Sequence, residues 1–260
     1  MKNTIVLFFI VLFSLFCPLL QQASIAASFG TESAALYNRA GDLYRAGKFT
    51  EALDIYEKLI KEGIKEPDLF YNASNAAYRL NMTGKAVLYL ERSLKLAPSD
   101  PDALANLAFI NSKKQDKETP PMNAVTAFLE NMYDRINVNS AAFWSGMTFA
   151  LMMLCAIGFL YFGGWIRLTL VTVGALCGFM FVISTGFLIQ KVHHESTVTE
   201  AVIMTGEVNA YSGPGAENTL IFTIHEGTKV FIERKQNSWD QIRLKSGVGG
   251  WVEADSLQTI

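Results

Sequence analysis

Cysteine is scarce in this chain: there are three in 260 residues, Cys17, Cys155 and Cys177, each inside an apolar run. The polar segments hold none, which excludes a disulfide scaffold and a zinc ribbon. Surplus positive charge is also missing. The formal net charge is −2, so there is no basic footprint for nucleic acid. There are three histidines, and His193-His194-Glu195 has no further ligand nearby to complete a metal site of three or four groups. Residues 141–162 and 168–189 lack Asp, Glu, Lys, Arg and His altogether. A transporter or proton path would need such groups within the membrane. No nucleophile motif, phosphate loop or metal-ligand spacing occurs. The expectation is a non-enzymatic protein with no cofactor. The one enzymatic alternative is an accessory to a cell-wall hydrolase whose catalytic subunit is another chain.

Hydrophobic residues make up 50% of the chain and are unevenly placed. They concentrate at 5–20 and 141–189, between polar segments. Lys2, the apolar run Ile5 to Leu20 and the small residues Ser24 and Ala26 read as a signal peptide over residues 1–26. An uncleaved anchor is the alternative. Phe16 ahead of Cys17 is too large for a lipoprotein site. Runs 141–162 and 168–189 are each long enough to cross an apolar core of about 30 Å. The short turn Phe162 to Arg167 makes them a hairpin over residues 140–190, with Trp144 and Trp165 suited to the two interfacial belts. Gly174 and Gly178 permit close helix approach, expected within the hairpin rather than in a dimer. Residues 118–139 form a linker broken by Pro120-Pro121, followed by a stripe of Val125, Phe128, Leu129, Met132, Tyr133 and Ile136. That stripe reads as an interfacial helix ahead of the span. Docking on the preceding helices is the alternative.

Before the linker the sequence repeats itself. At an offset of 34, Tyr37 falls on Tyr71, Asn38 on Asn72, Tyr44 on Tyr78, Arg45 on Arg79, Ala52 on Ala86 and Glu57 on Glu91. Asn72 then falls on Asn106. Small residues recur in the first helix (Ala40, Ser74, Ala108) and alanine in the second (Ala52, Ala86), with Gly47, Gly63 and Asn81 at helix ends. Pro98 closes a repeat and Pro67 closes one late. This pattern resembles the tetratricopeptide (TPR) family, whose period is 34 residues. The resemblance implies an all-α array of helical repeats over 30–117, ending in a capping helix at 102–115 whose Asn111, Lys113, Lys114 and Gln115 face water. It also implies a protein-binding groove lined by the first helices. Its candidates are Tyr37, Asn38, Tyr44, Arg45, Tyr71, Asn72, Asn75, Tyr78, Arg79 and Asn106. Packing between helices is the competing use for the tyrosines, and solvation for the arginines.

From Ser196 the period changes to two. TEAVIMTGEVNAY, TLIFTIHEGTKVFIERK, WDQIRLKSG and GGWVEA predict about five strands, a small all-β closed barrel over 196–260. VNAYSGPG, HEGTKV and GGWVEA resemble the bacterial SH3-like family. Where that family often has an arginine before its turn, this chain has Tyr211. The resemblance implies a peptide or peptidoglycan ligand. Tyr211, Trp239 and Trp251 are the candidate groove residues. Core packing is the favoured reading for Trp239, and Trp251 divides evenly between core and groove.

The order of signal, repeats, hairpin and barrel resembles the BatE-like family of aerotolerance-operon proteins, over essentially the whole chain. It implies a multidomain, multi-pass protein of the bacterial inner membrane with both soluble domains in the periplasm. Its partners would be the lipid bilayer and other Bat membrane proteins with von Willebrand A-type domains, in a stress-related complex. A peptidoglycan-binding envelope sensor is the competing reading.

Overall fold

The computed structural model describes residues 30–116, 123, 133 and 135–260. The expected signal peptide and most of the 118–139 linker and stripe lie outside the described residues. Helices α1 (Thr31–Arg45), α2 (Phe49–Lys61), α3 (Pro67–Arg79), α4 (Thr83–Leu96) and α5 (Pro101–Lys113) come first. They form antiparallel hairpins because tight left-handed turns separate them. Gly47 at φ 78° and Asn81 at φ 59° hold the same place one repeat apart. Pro67 does not close a repeat. It opens α3, as Pro101 opens α5, at the first helical position, where its missing N–H costs nothing.

Alanine governs the packing. Ala40, Ala52, Ala73, Ala76, Ala77 and Ala86 are all fully buried, so helix backbones approach closely. Ser74 replaces alanine at one such contact and satisfies its hydroxyl on Ala86 O, 2.8 Å away. Tyr56 fills the space between α1 and α2, and burial pushes its phenol up to about 12. Ala108 is exposed, because no described helix pairs with α5 there as α4 pairs with Ser74. One expectation for the last helix fails, at Lys114. Lys114 is buried rather than solvated, its ammonium donating to Gly227 O at 2.7 Å.

Helices α6 (Val138–Tyr161) and α7 (Gly164–Thr197) form the hairpin. Both are long and apolar enough to cross a membrane. Their turn is shorter than expected. Only Phe162 and Gly163 lie between them, so Trp165 and Arg167 belong to the first turn of α7. The glycine step serves the hairpin: a Cβ on Gly174 would meet Cys155 at 3.2 Å, and one on Gly178 would meet Met152 at 3.4 Å. Ser145 and Thr185 hydroxyls pair across the helices at 2.8 Å. α7 continues past Ile189 and leads into the first strand with one residue between them, leaving no flexible linker.

Seven strands follow: β1 (Thr199–Ile203), β2 (Glu207–Tyr211), β3 (Leu220–His225), β4 (Lys229–Gln236), β5 (Trp239–Arg243), β6 (Gly249–Glu253) and β7 (Leu257–Thr259). Each of the two longest predicted runs splits at a turn into two strands. The antiparallel sheet has the order β3-β2-β6-β5-β4-β1-β7, so β3 and β7 are its ends and do not pair to close it. The expected closed barrel is therefore open. Its edges are served by side chains from the helical module instead: the Asp116 carboxylate, just past α5, accepts His225 N–H at 2.6 Å on β3, and Arg92 of α4 donates to Thr259 O at 2.6 Å on β7. Covering an edge in this way removes the same hazard as closing it.

Candidate binding surfaces

The first surface is one face of the sheet. Ala210, Ile242 and Val252 point inward and are buried, with Val208, Ile224, Val230 and Ile232 beside them. By the two-residue period of a strand, their neighbours Tyr211, Gln241 and Trp251 point outward. Tyr211 pairs with Trp251, and Trp251 with Gln241, across β2, β6 and β5. The Trp239 ring meets Tyr211 edge-on at 5.7 Å. The three aromatic residues singled out from sequence are thus brought together, half-buried, on one outer face. Trp239 is not a core residue, since aliphatic side chains already fill the interior. The glycines before Trp251 have a physical reason. A Cβ on Gly250 would lie 2.9 Å from the Ala210 side chain, where β6 crosses close to β2.

The second surface is the row of first helices. Tyr37 OH accepts from Asn72 Nδ2 at 2.6 Å, and Tyr71 OH from Asn106 Nδ2 at 3.2 Å, each a link of one repeat to the next. Asn106 also donates to Asn75 Oδ1 at 3.0 Å, and Lys113 reaches Tyr78 OH at 3.4 Å. The hydroxyl groups of Tyr37, Tyr71 and Tyr78 are therefore engaged between helices. Tyr44 lies edge-on to Phe49. Asn38, Arg45 and Arg79 remain exposed. Arg45 pairs with Asp42, and Arg79 lies over the Phe49 ring at 4.4 Å. What this row still offers a ligand is cationic and amide chemistry at its rim.

The third surface joins the two modules. Val202 is fully buried in the core of the helices, with Met204 and Ile260 packed against that core. Gly84 N–H donates to Glu226 Oε1 at 2.6 Å. Asp116 also takes the Thr228 hydroxyl and the His225 ring, both at 2.9 Å. Burial pushes the Asp116 carboxyl up, but these bonds outweigh it and leave the group below the usual carboxylate range. Lys229 lies between Glu91 at 2.9 Å and Glu200 at 3.0 Å. Burial pulls its ammonium down, and the two carboxylates more than reverse that, holding it above the usual lysine range. Sequence reasoning passed over this surface, although Glu91 had been marked by its identity with Glu57 one repeat earlier.

Among the described residues no three His, Cys, Asp or Glu side chains converge as metal ligands. His194 instead lies edge-on to Tyr133.

Residues 205–258 match the family model of the bacterial SH3 domain. A stretch of 53 residues is 42% identical to a putative N-acetylmuramoyl-L-alanine amidase, YrvJ, of Bacillus subtilis (strain 168). That stretch is 20% of this chain and 10% of that protein. The C-terminal sheet, with its outward Tyr211, Trp239 and Trp251, is a bacterial SH3 domain.

Proposed function

We propose that this chain is a non-enzymatic scaffold of a bacterial inner membrane, with two binding modules on the periplasmic side. The tetratricopeptide array takes a protein partner and the SH3 domain takes the cell wall. One observation carries the reading: both modules leave the hairpin at the same end. α6 begins there, its Asn137 side chain donating to Leu96 O of α4 at 3.2 Å, and α7 ends there at β1. Two binding surfaces held together at a membrane, without a catalytic constellation among the described residues, fit a scaffold. The whole-chain resemblance names the partners as Bat proteins with von Willebrand A-type domains, in aerotolerance. A partner in the same bilayer would have a high effective concentration. The competing reading, an envelope sensor or hydrolase accessory whose main ligand is peptidoglycan, draws on the aromatic face and on the relative named for muramoyl-alanine chemistry.

Topology is tested by fusion. Alkaline phosphatase joined after Ile260 should be active, and phosphatase inserted between Gly163 and Gly164 should be inactive. The reverse pattern would put both modules in the cytoplasm.

The partner is tested at the rim of the helical row. Hydrogen bonds to charged groups contribute about 1.5–3 kcal/mol each. Arg45→Ala with Arg79→Ala should therefore reduce co-purification of membrane partners by tenfold or more, at constant amounts of inserted protein. Unchanged recovery would remove the arginines from the docking site.

A further inference from the structure

In a row of repeated hairpins each unit packs on the next, so the last unit lacks the neighbour that the earlier ones have. α2 packs on α3, and α4 reaches it through side chains. Glu57 accepts Lys85 Nζ at 2.7 Å and Tyr89 OH at 3.0 Å. One repeat later Glu91 holds the Glu57 place on α4. Among the described residues no second helix follows α5 to stand against α4 in its turn.

We infer that the SH3 domain takes over the α4 side of that place, so that the chain caps its own helical array with a sheet. Glu91 accepts Lys229 Nζ at 2.9 Å, repeating the Glu57–Lys85 bond with a lysine 138 residues away. The approach is close. A Cβ on Gly84 would stand 2.8 Å from Ile203 O, and one on Gly227 would meet Thr83 and Val87 side chains at 3.1 and 3.4 Å. Residues 84, 87 and 91 form one stripe of α4, spaced by three and four. Their repeat equivalents on α2 include Leu53 and Glu57, and Glu57 is the residue that receives α4. At the end of α5, Lys114 and Asp116 fasten the same domain through Gly227 O, His225 and Thr228. The cap covers α4, the last of the second helices, and leaves the row of first helices open, where the tyrosine–asparagine links run. A partner of the array is thereby directed to the first-helix row. The aromatic face of the sheet is held at a fixed distance from it. The cap stands whether or not either module binds as proposed above.

Amide hydrogen exchange on the full-length protein in detergent tests this. Glu91→Gln and Lys229→Met should each speed exchange of α4 amides at least tenfold. The double variant should add little to Lys229→Met, since that change already removes the Glu91 bond along with the one to Glu200. Arg243→Ala breaks an exposed pair with Glu233 inside the SH3 domain and should leave α4 unchanged. Glu91→Gln keeps the side-chain shape, so it reports even where Lys229→Met accumulates poorly. Unaltered α4 exchange in Glu91→Gln, or an equal rise in Arg243→Ala, would overturn the inference.

Discussion

Trp239→Ala combined with Trp251→Ala should lower retention of the detergent-extracted protein on purified sacculi by tenfold or more. The two indoles share the outer face of the sheet with Tyr211, over an aliphatic interior that does not depend on them. Flat aromatic surfaces that are part solvated, part buried and held rigid have the character of binding hot spots. Truncating one such residue commonly costs at least about 2 kcal/mol, roughly thirtyfold in affinity. The control lies on the same domain. Ile221 on β3 and Val248 ahead of β6 are exposed apolar residues, neither of them paired with Tyr211, Trp239 or Trp251. Changing both to serine should leave retention as it was. Full retention by a folded double-tryptophan variant would move wall binding off this face. Equal loss in the control variant would mark the retention as nonspecific apolar adsorption.

The period of the array was legible because packing restricts it at every turn. Ala52 and Ala86 lie where helix backbones touch, and Gly47 and Asn81 lie where the chain reverses. Those constraints are local, so they appear as identities at a fixed offset. The glycines before Trp251 were legible for a similar reason, as β6 cannot pass β2 with a side chain at 250. Trp239 was misjudged by volume. A small domain seemed to need a large aromatic inside, but branched aliphatic residues from seven strands fill it. The contact between modules was illegible as a pair, since nothing in the sequence links Glu91 to Lys229. Even so, one signal was present. Ala201-Val202-Ile203-Met204 is apolar without alternation, the mark of a strand buried on both faces. A strand in an isolated small barrel would show water on one side.

Val202→Asp should therefore unfold helices to which residue 202 does not belong. Ala201 and Ile203 point into the SH3 core, while Val202, between them, is fully buried in the core of the helical array. Its cross-strand neighbour Lys229 is already held between Glu91 and Glu200, so a third carboxylate there would be buried without a cation of its own. Burying an unpaired charge is among the few single changes that cost roughly 4 kcal/mol or more, a large share of a domain's whole stability. Because the site belongs to both modules, the loss should appear in both. Far-ultraviolet circular dichroism should show the helical signal melting at a lower temperature, together with the sheet. Ile221→Asp puts the same charge on an exposed position of the same domain and should change the helical melt by less than about 0.5 kcal/mol. Helices that melt as in the unaltered protein, while only the sheet is destabilised, would show that the two modules fold independently and that the shared core contributes nothing to the array.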